Sequence, residues 1–255
     1  MLYRNKHKPN SKCNWVMDSL AKGWKGNEHH FWGFINGNEQ KIKQLQKQNI
    51  NWYYWDMPYW GRYPQEDFYW RASLNHVHYR RSKMVPGDRF EQWAVQPKPY
   101  SSGSKILVCP SSETMTRWTT GMDVAMWTQM ITMGLRKHTD RPIEVRTKPR
   151  ANGTSGPAAA TVSFADQAQD THCVVTCISL CAVEAQLLGI PTICHPSSFA
   201  AEVSSTQLED IENPLRVDNQ QWFYNLAYSQ FTHSEIESGL AEECLNYLYT
   251  TQDAE

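Results

Sequence analysis

Three short apolar runs, KILVCP (105–110), THCVVTCIS (171–179) and IPTICH (190–195), alternate with stretches of helical periodicity. This alternation constrains the fold more than any other feature. Near-continuous apolar runs of this length suit strands buried on both faces. Between them, 120–138 has helical spacing, and RPIEVRTKP (141–149) reads as a further strand with Ile143 and Val145 on one face. ANGTSGPAAA (151–160) reads as a flexible loop, and 182–188 as a helix that Gly189 stops. Strands alternating with helices predict a mostly parallel sheet covered on both sides.

A similar pattern opens the chain. SKCNWVMDSLAKGW (11–24) reads as a helix, HHFWGFI (29–35) as a buried strand and Asn36-Gly37-Asn38 as a turn. Residues 39–49 read as a helix with Ile42 and Leu45 inward, and INWYYWDM (50–57) as a second strand. Strand, helix, strand predicts a parallel pair with a right-handed crossover. Residues 69–77 suit either a strand or a turn of helix, and QPKPYSSGS (96–104) reads as a linker. The tail predicts helices over 219–228 and 234–249, the second started by a Ser234/Glu237 capping box.

The net charge of -1 hides a division. Residues 1–100 hold 16 Lys/Arg against 8 Asp/Glu and 20 of the 31 aromatics; residues 101–255 hold 9 against 18. Two readings of the basic, aromatic half stand side by side: it meets a polyanion, or its Trp and Tyr build a core that the lysines solvate. No stretch approaches the ~20 apolar residues of a membrane helix. The basic N-terminus lacks the apolar core of a secretory signal, so a cytoplasmic protein without a membrane partner is expected. Cys173, Cys177 and Cys181 recur every four residues in an apolar run, where packing explains them better than a metal.

Ligands of open α/β sheets bind beyond the carboxyl ends of strands. That rule selects Asp56, Ser111, Ser112, Arg146, Lys148, Ser179 and the segment from His195 to Ser198. Two cations among several hydroxyls suit a diphosphate flanked by a sugar or ribose. In the run 179–191, Ser179 can open a helix whose free N–H groups take phosphate, and Glu184 can bind paired hydroxyls. From residue types alone, Ser179 as a plain cap and Glu184 as a plain surface residue fit equally well.

SLCAVEAQLLGIPTI (179–193) resembles the donor-domain signature of GT-B glycosyltransferases and of capsule-polysaccharide transferases. WYYWDMPYWGRY (52–63), YWRASLNHVH (69–78), ILVCPSSE (106–113) and NLAYSQFTHSEIESG (225–239) resemble recurring segments of a phage-encoded group of that type. Leu180 and Cys181 depart from the small or polar residues of the signature. The resemblance implies two Rossmann-like domains facing a cleft: 1–100 as acceptor domain, 101–230 as donor domain, and 231–255 as a C-terminal helix crossing back to the first. It implies a monomer that transfers sugar from a nucleotide sugar, a UDP-sugar by preference, with no metal and no tightly bound cofactor. Donor contacts would be Ser111, Ser112, Arg146, Lys148, Ser179, Glu184 and Ser198.

Asp56 is the candidate base, as the one carboxylate in the run from Trp52 to Tyr63, where aromatic walls would raise its pKa. The alternative is a loop ion pair with Arg62. The basic half suits double-stranded DNA with a hydroxymethylated base as acceptor, contacted by Tyr59, Trp60, Arg62, Arg71, His76 and His78. A glycan or protein acceptor also fits. Two other classes compete: a module of this shape that binds nucleotide or nucleic acid without transfer, and a metalloprotein using His29, His30, His76 and His78. The H-x-H spacing puts the rings of His76 and His78 on one face if that segment is a strand.

Overall fold

The computed structural model describes residues 1–60, 68–79, 84–93, 95–146 and 162–249. Arg62, Lys148 and the loop 151–160 lie outside the described residues. Contacts divide the chain into two compact units, Met1–Ala94 with Gln221–Glu255, and Val95–Gln220.

In the first unit, α1 (Lys12–Gly23) begins where the Ser11 hydroxyl accepts the Asn14 N–H. β1 (His29–Trp32) stops at Gly33 (φ 52), earlier than expected, and α2 (Asn38–Lys47) buries Ile42 and Leu45. β2 (Trp52–Asp56) pairs parallel with β1, as the strand–helix–strand pattern predicts. β3 (Trp70–Leu74) then runs antiparallel to β2; it is followed by α3 (Asp88–Glu91). The tail supplies α8 (Gln220–Ala227), β8 (Gln230–Phe231), α9 (His233–Glu237) and α10 (Leu240–Tyr249). β8 pairs antiparallel with β3, which gives the order β1-β2-β3-β8. This mixed sheet departs from the Rossmann-like sheet expected here, because the chain returns antiparallel after β2.

The aromatic richness of this half is mostly core. Trp52, Tyr54, Trp55, Tyr59, Trp70 and Tyr79 are all buried. Val16, Met17 and Leu20 of α1 share one cluster with Trp55, Trp70, Phe231, Leu245 and Leu248. The single tail helix expected over 234–249 is broken at Gly239 (φ 88). The capping box lies two residues earlier than expected: Thr232 takes the Glu235 N–H, and Glu235 takes the Thr232 N–H at 2.9 Å. Glu237 instead pairs with Lys22 at 2.8 Å and accepts the Ser19 hydroxyl, tying α9 to α1.

The second unit is the parallel α/β layer that the apolar runs predict. Its elements are β4 (Lys105–Cys109), α4 (Glu113–Thr120), α5 (Val124–Leu135), β5 (Ile143–Val145), α6 (Phe164–Gln167), β6 (Thr171–Thr176), α7 (Cys181–Leu187) and β7 (Thr192–Cys194). All neighbours pair parallel in the order β5-β4-β6-β7. The helix expected over 120–138 is α5, which starts only at Val124, where the Asp123 carboxylate caps it; a separate helix, α4, precedes it and ends at Gly121 (φ 76). The segment read as a linker is hydrogen-bonded to this unit, Lys98 N–H to Leu187 O at 3.0 Å and Ser101 N–H to Gly189 O at 2.8 Å. Gly189 (φ 71) lets it approach, since a Cβ there would lie 2.1 Å from Pro99 O. Among the described residues no helix is long and apolar enough to cross a membrane.

Candidate functional site

The carboxyl ends of the four parallel strands, Cys109, Val145, Thr176 and Cys194, lie along one edge of the second sheet. After β4 the chain moves to one side to make β5 and then to the other to make β6. The switch point therefore falls between β4 and β6, where open α/β sheets form their ligand crevice. Ser111, Ser112, Arg146, Ser179 and Ser198 all follow strands that end on this edge.

Two hydroxyls stitch the crevice. Ser111 Oγ accepts the Ile178 N–H at 3.0 Å. Thr176 Oγ1 donates to Cys109 O at 2.6 Å and accepts the Ser179 N–H at 3.3 Å. Thr176 was hidden in the sequence as the end of an apolar strand; a hydroxyl closing such a run is the signal. Ser112 caps α4, taking the Met115 N–H on its hydroxyl. The Glu113 and Thr114 amides take no partner among the described residues. Ser198 is buried, and its Oγ accepts the Ala200 N–H at 3.2 Å.

Ser179 differs from expectation. Leu180, not Ser179, precedes α7, and the early amides are already used. Cys181 N–H goes to Ser179 Oγ at 3.3 Å, Ala182 N–H to Ser179 O, and Val183 and Glu184 N–H to Leu180 O. The tight first turn leaves these four amides no free valence for phosphate. Glu184 is exposed on α7, and its charge acts on the Cys109 and Cys181 thiols. Arg146 is 9 % exposed and forms no ion pair among the described residues. Its guanidinium donates to Val162 O at 3.2 Å and to Gln167 Oε1, and lies 5.8 Å from the Phe164 ring centre. These bonds hold the charge at the end of β5.

In the first unit, Asp56 ends β2 and lies directly across the pair from Arg71. Its Oδ2 accepts from Arg71 at 3.0 Å and from Tyr54 OH at 3.4 Å, and its Oδ1 from the Met57 N–H at 2.7 Å. Asp56 is thus an ion-pair carboxylate, 27 % exposed, and not one walled by aromatics alone; an ion pair was the alternative reading, with a different partner. The partner is the cross-strand Arg71, whose side chain is 4 % exposed. Burial, then the Asp56 charge, push the Tyr54 phenol well up, so it stays a donor.

Tyr59 and Trp60, expected to contact the acceptor, are core residues. Tyr59 OH accepts the Tyr79 N–H at 2.8 Å, and burial pushes that phenol up to about 12. Trp60 packs against Phe90, Trp93 and Phe223. His76 and His78 do not share a strand face: β3 ends at Leu74, Asn75 turns the chain (φ 54), and His76 Nδ1 accepts the His78 N–H. His30 is buried and accepts Trp55 Nε1–H at 3.1 Å. No group of three metal-ligating side chains exists among the described residues.

No protein-family model matches the chain, and no curated protein matches it. Solved structures similar to the chain include two transferase domains. One is Thermosulfurimonas dismutans KpsC, beta Kdo 2,4 transferase, at 9% identity and TM-score 0.47 over 85% of this chain and 86% of that one. The other is Thermosulfurimonas dismutans KpsC, beta Kdo 2,7 transferase, at 14% identity and TM-score 0.47 over 92% and 90%.

Proposed function

We propose that this protein is a glycosyltransferase that takes its sugar from a nucleotide sugar bound at the carboxyl edge of the second sheet. The observation carrying this reading is that edge: an all-parallel sheet whose switch point is flanked by the Ser111, Ser179 and Ser198 loops and by the held cation Arg146. Arg146, with the Glu113 and Thr114 amides, offers positive potential for a diphosphate leaving group. Glu184, exposed on the next helix, offers a carboxylate for sugar or ribose hydroxyls. The resemblance of 179–193 to the donor signature agrees with these roles.

The acceptor hydroxyl would give its proton to Asp56. Oδ1 bonds only the Met57 N–H among the described residues, so it keeps a lone pair for an incoming hydroxyl. We further propose a hydroxymethylated base in DNA as acceptor, on the excess of 16 Lys/Arg over 8 Asp/Glu in residues 1–100. Phosphate contact by surface cations would carry that binding, because Tyr59 and Trp60 are not available for stacking.

The test is a thermal-shift series with uridine diphosphate and UDP-sugars, then transfer assays on plain and hydroxymethylated DNA. At a ligand concentration of about 100 Kd, binding adds about 2.7 kcal/mol and raises Tm by several degrees. If no nucleotide or nucleotide sugar moves Tm at millimolar concentration, the donor reading is wrong. Binding without transfer is the second reading, favoured by the engagement of Asp56 with Arg71. Donor hydrolysis without acceptor would exclude it.

A further inference from the structure

One helix face has no cover in the packing. α5 runs for 12 residues, VAMWTQMITMGL, without a charged side chain. It buries Trp127 and Leu135. A helix with one buried stripe ordinarily turns charged residues to water on the opposite side. Here the outer stripe is Met126, Met130 and Met133, which are 57 %, 45 % and 62 % exposed. Spacings of four and three residues place them on one face. With Leu208 beside them they line an apolar groove of about 520 Å³. Gly134 lets Leu208 close the groove, since a Cβ there would lie 2.7 Å from Leu208 Cδ1. Contiguous exposed apolar surface of this kind marks a contact site, and unbranched methionine adapts to a facing surface.

The charges at the two ends of the stripe indicate what covers it. Asp123 stands at its start and Lys137 at its end, where it lines the groove. Asp123 Oδ1 accepts the Met126 N–H at 2.8 Å, and neither Asp123 nor Lys137 forms an ion pair among the described residues. Each is seven residues from Met130, close to two helical turns, so all three lie along the same stripe. The stripe is therefore complementary to itself. A twofold axis at Met130 lays a second copy of α5 antiparallel on the first. Asp123 of each copy then meets Lys137 of the other, the two Met130 side chains meet at the axis, and Met126 falls over Gly134 of the other copy. A parallel copy would set like charge against like. A surface of one charge sign would match only one end of the stripe.

We propose that this protein self-associates as a twofold dimer through the methionine face of α5, in place of the monomer that the resemblance implies. Identical patches meeting each other close the assembly at two copies. One helix stripe is small beside the ~800 Å² that each partner gives to a standard interface, so the dimer is weak and depends on concentration.

The experiment is sedimentation equilibrium on the intact protein from micromolar to near-millimolar concentration. The expected result is a mass that rises from 29.5 kDa towards twice that value. Met130→Glu sets two carboxylates face to face at the axis and should raise the dimer Kd at least about tenfold. Lys137→Glu sets a carboxylate against Asp123 and should weaken the dimer likewise, less so at high salt. Carbodiimide cross-linking of the wild-type protein reads the orientation. Asp123 and Lys137 of one chain are about 20 Å apart along the helix, so a direct link between them joins two chains. That link is expected in the covalent dimer and absent from the monomer band. A mass of one chain at every concentration, a dimer unmoved by Met130→Glu, or a dimer linked only elsewhere would overturn the proposal. So would a monomer that binds phosphatidylserine vesicles and loses that binding with Met130→Glu, which would assign the face to a membrane surface. The wild-type masses and links decide even where a variant fails to fold.

Discussion

Replacing Asp56 with Asn should weaken the first unit by about 2–3 kcal/mol, independently of any effect on turnover. The Arg71 guanidinium is buried, and its close anion is Asp56 at 3.0 Å. Its other bond, to Met57 O, is long at 3.5 Å, and its Nε has no hydrogen-bond partner among the described residues. Removing one member of a buried ion pair costs about 3–5 kcal/mol, chiefly by stranding the other charge. The Asp56 side chain is 27 % exposed, so water reaches the pair and the lower end applies. Arg71→Leu removes the stranded cation but leaves a carboxylate still bonded to Met57 and Tyr54, so it should cost only about 1 kcal/mol. The double variant should resemble Arg71→Leu, giving a coupling of about 2 kcal/mol. Urea denaturation followed by tryptophan fluorescence reads this directly, since Trp55 and Trp70 lie in the same unit's core. If the two losses add within about 0.5 kcal/mol, the pair is energetically idle and the reasoning fails. The cycle also guards the proposed chemistry. If Asp56 is the base, Arg71→Leu should retain more transfer activity than Asp56→Asn does.

Two further outcomes follow from the packing. Gly189→Ala should cost at least about 2 kcal/mol, because φ is 71 and the new Cβ would lie 2.1 Å from Pro99 O; an unchanged denaturation midpoint would show that segment 98–101 is not docked there. His30 is held neutral, its pKa lowered to about 3 by burial first and neighbouring positive groups second. The unfolded chain takes up that proton below about 6.5, so the stabilising contribution is complete above this pH. It falls by up to about 1.4 kcal/mol per pH unit as the pH drops towards the folded value. His30→Phe should remove that share of the slope in denaturation series between about pH 7 and pH 4; identical slopes would contradict the assignment.

The sequence revealed those parts of the fold that depend on local pattern. The apolar runs of the second unit became its parallel strands, and the first strand–helix–strand became a parallel pair, because burial on both faces leaves a one-dimensional trace. Features set by distant partners were not legible. The ion-pair alternative for Asp56 named Arg62, on nearness in the chain, whereas strand register brings it Arg71. Ser234 looked like a cap because Glu237 follows it, but Glu237 is occupied by Lys22 and Ser19 from α1, and Thr232 caps instead. β8 is two residues long and too short for any periodicity. At the candidate donor edge the residues were found by the strand-end rule, yet their bonds were not. Ser111 and Ser179 spend their hydroxyls on neighbouring amides, and Thr176, unremarked in an apolar run, ties β4 to β6.

The first unit is assembled from both ends of the chain, with Val95–Gln220 inserted between its parts. During synthesis that insertion takes on the order of ten seconds at ~5–20 residues per second. Throughout that time β3 presents an open edge, because β8 has not yet been made, and Trp55 and Trp70 lack the cover of α9 and α10. The second unit can therefore mature on the ribosome while the first waits for its last thirty or so residues. A nascent chain stalled near residue 220 would carry a finished domain beside an aggregation-prone one, and the burden on chaperones falls on the aromatic half.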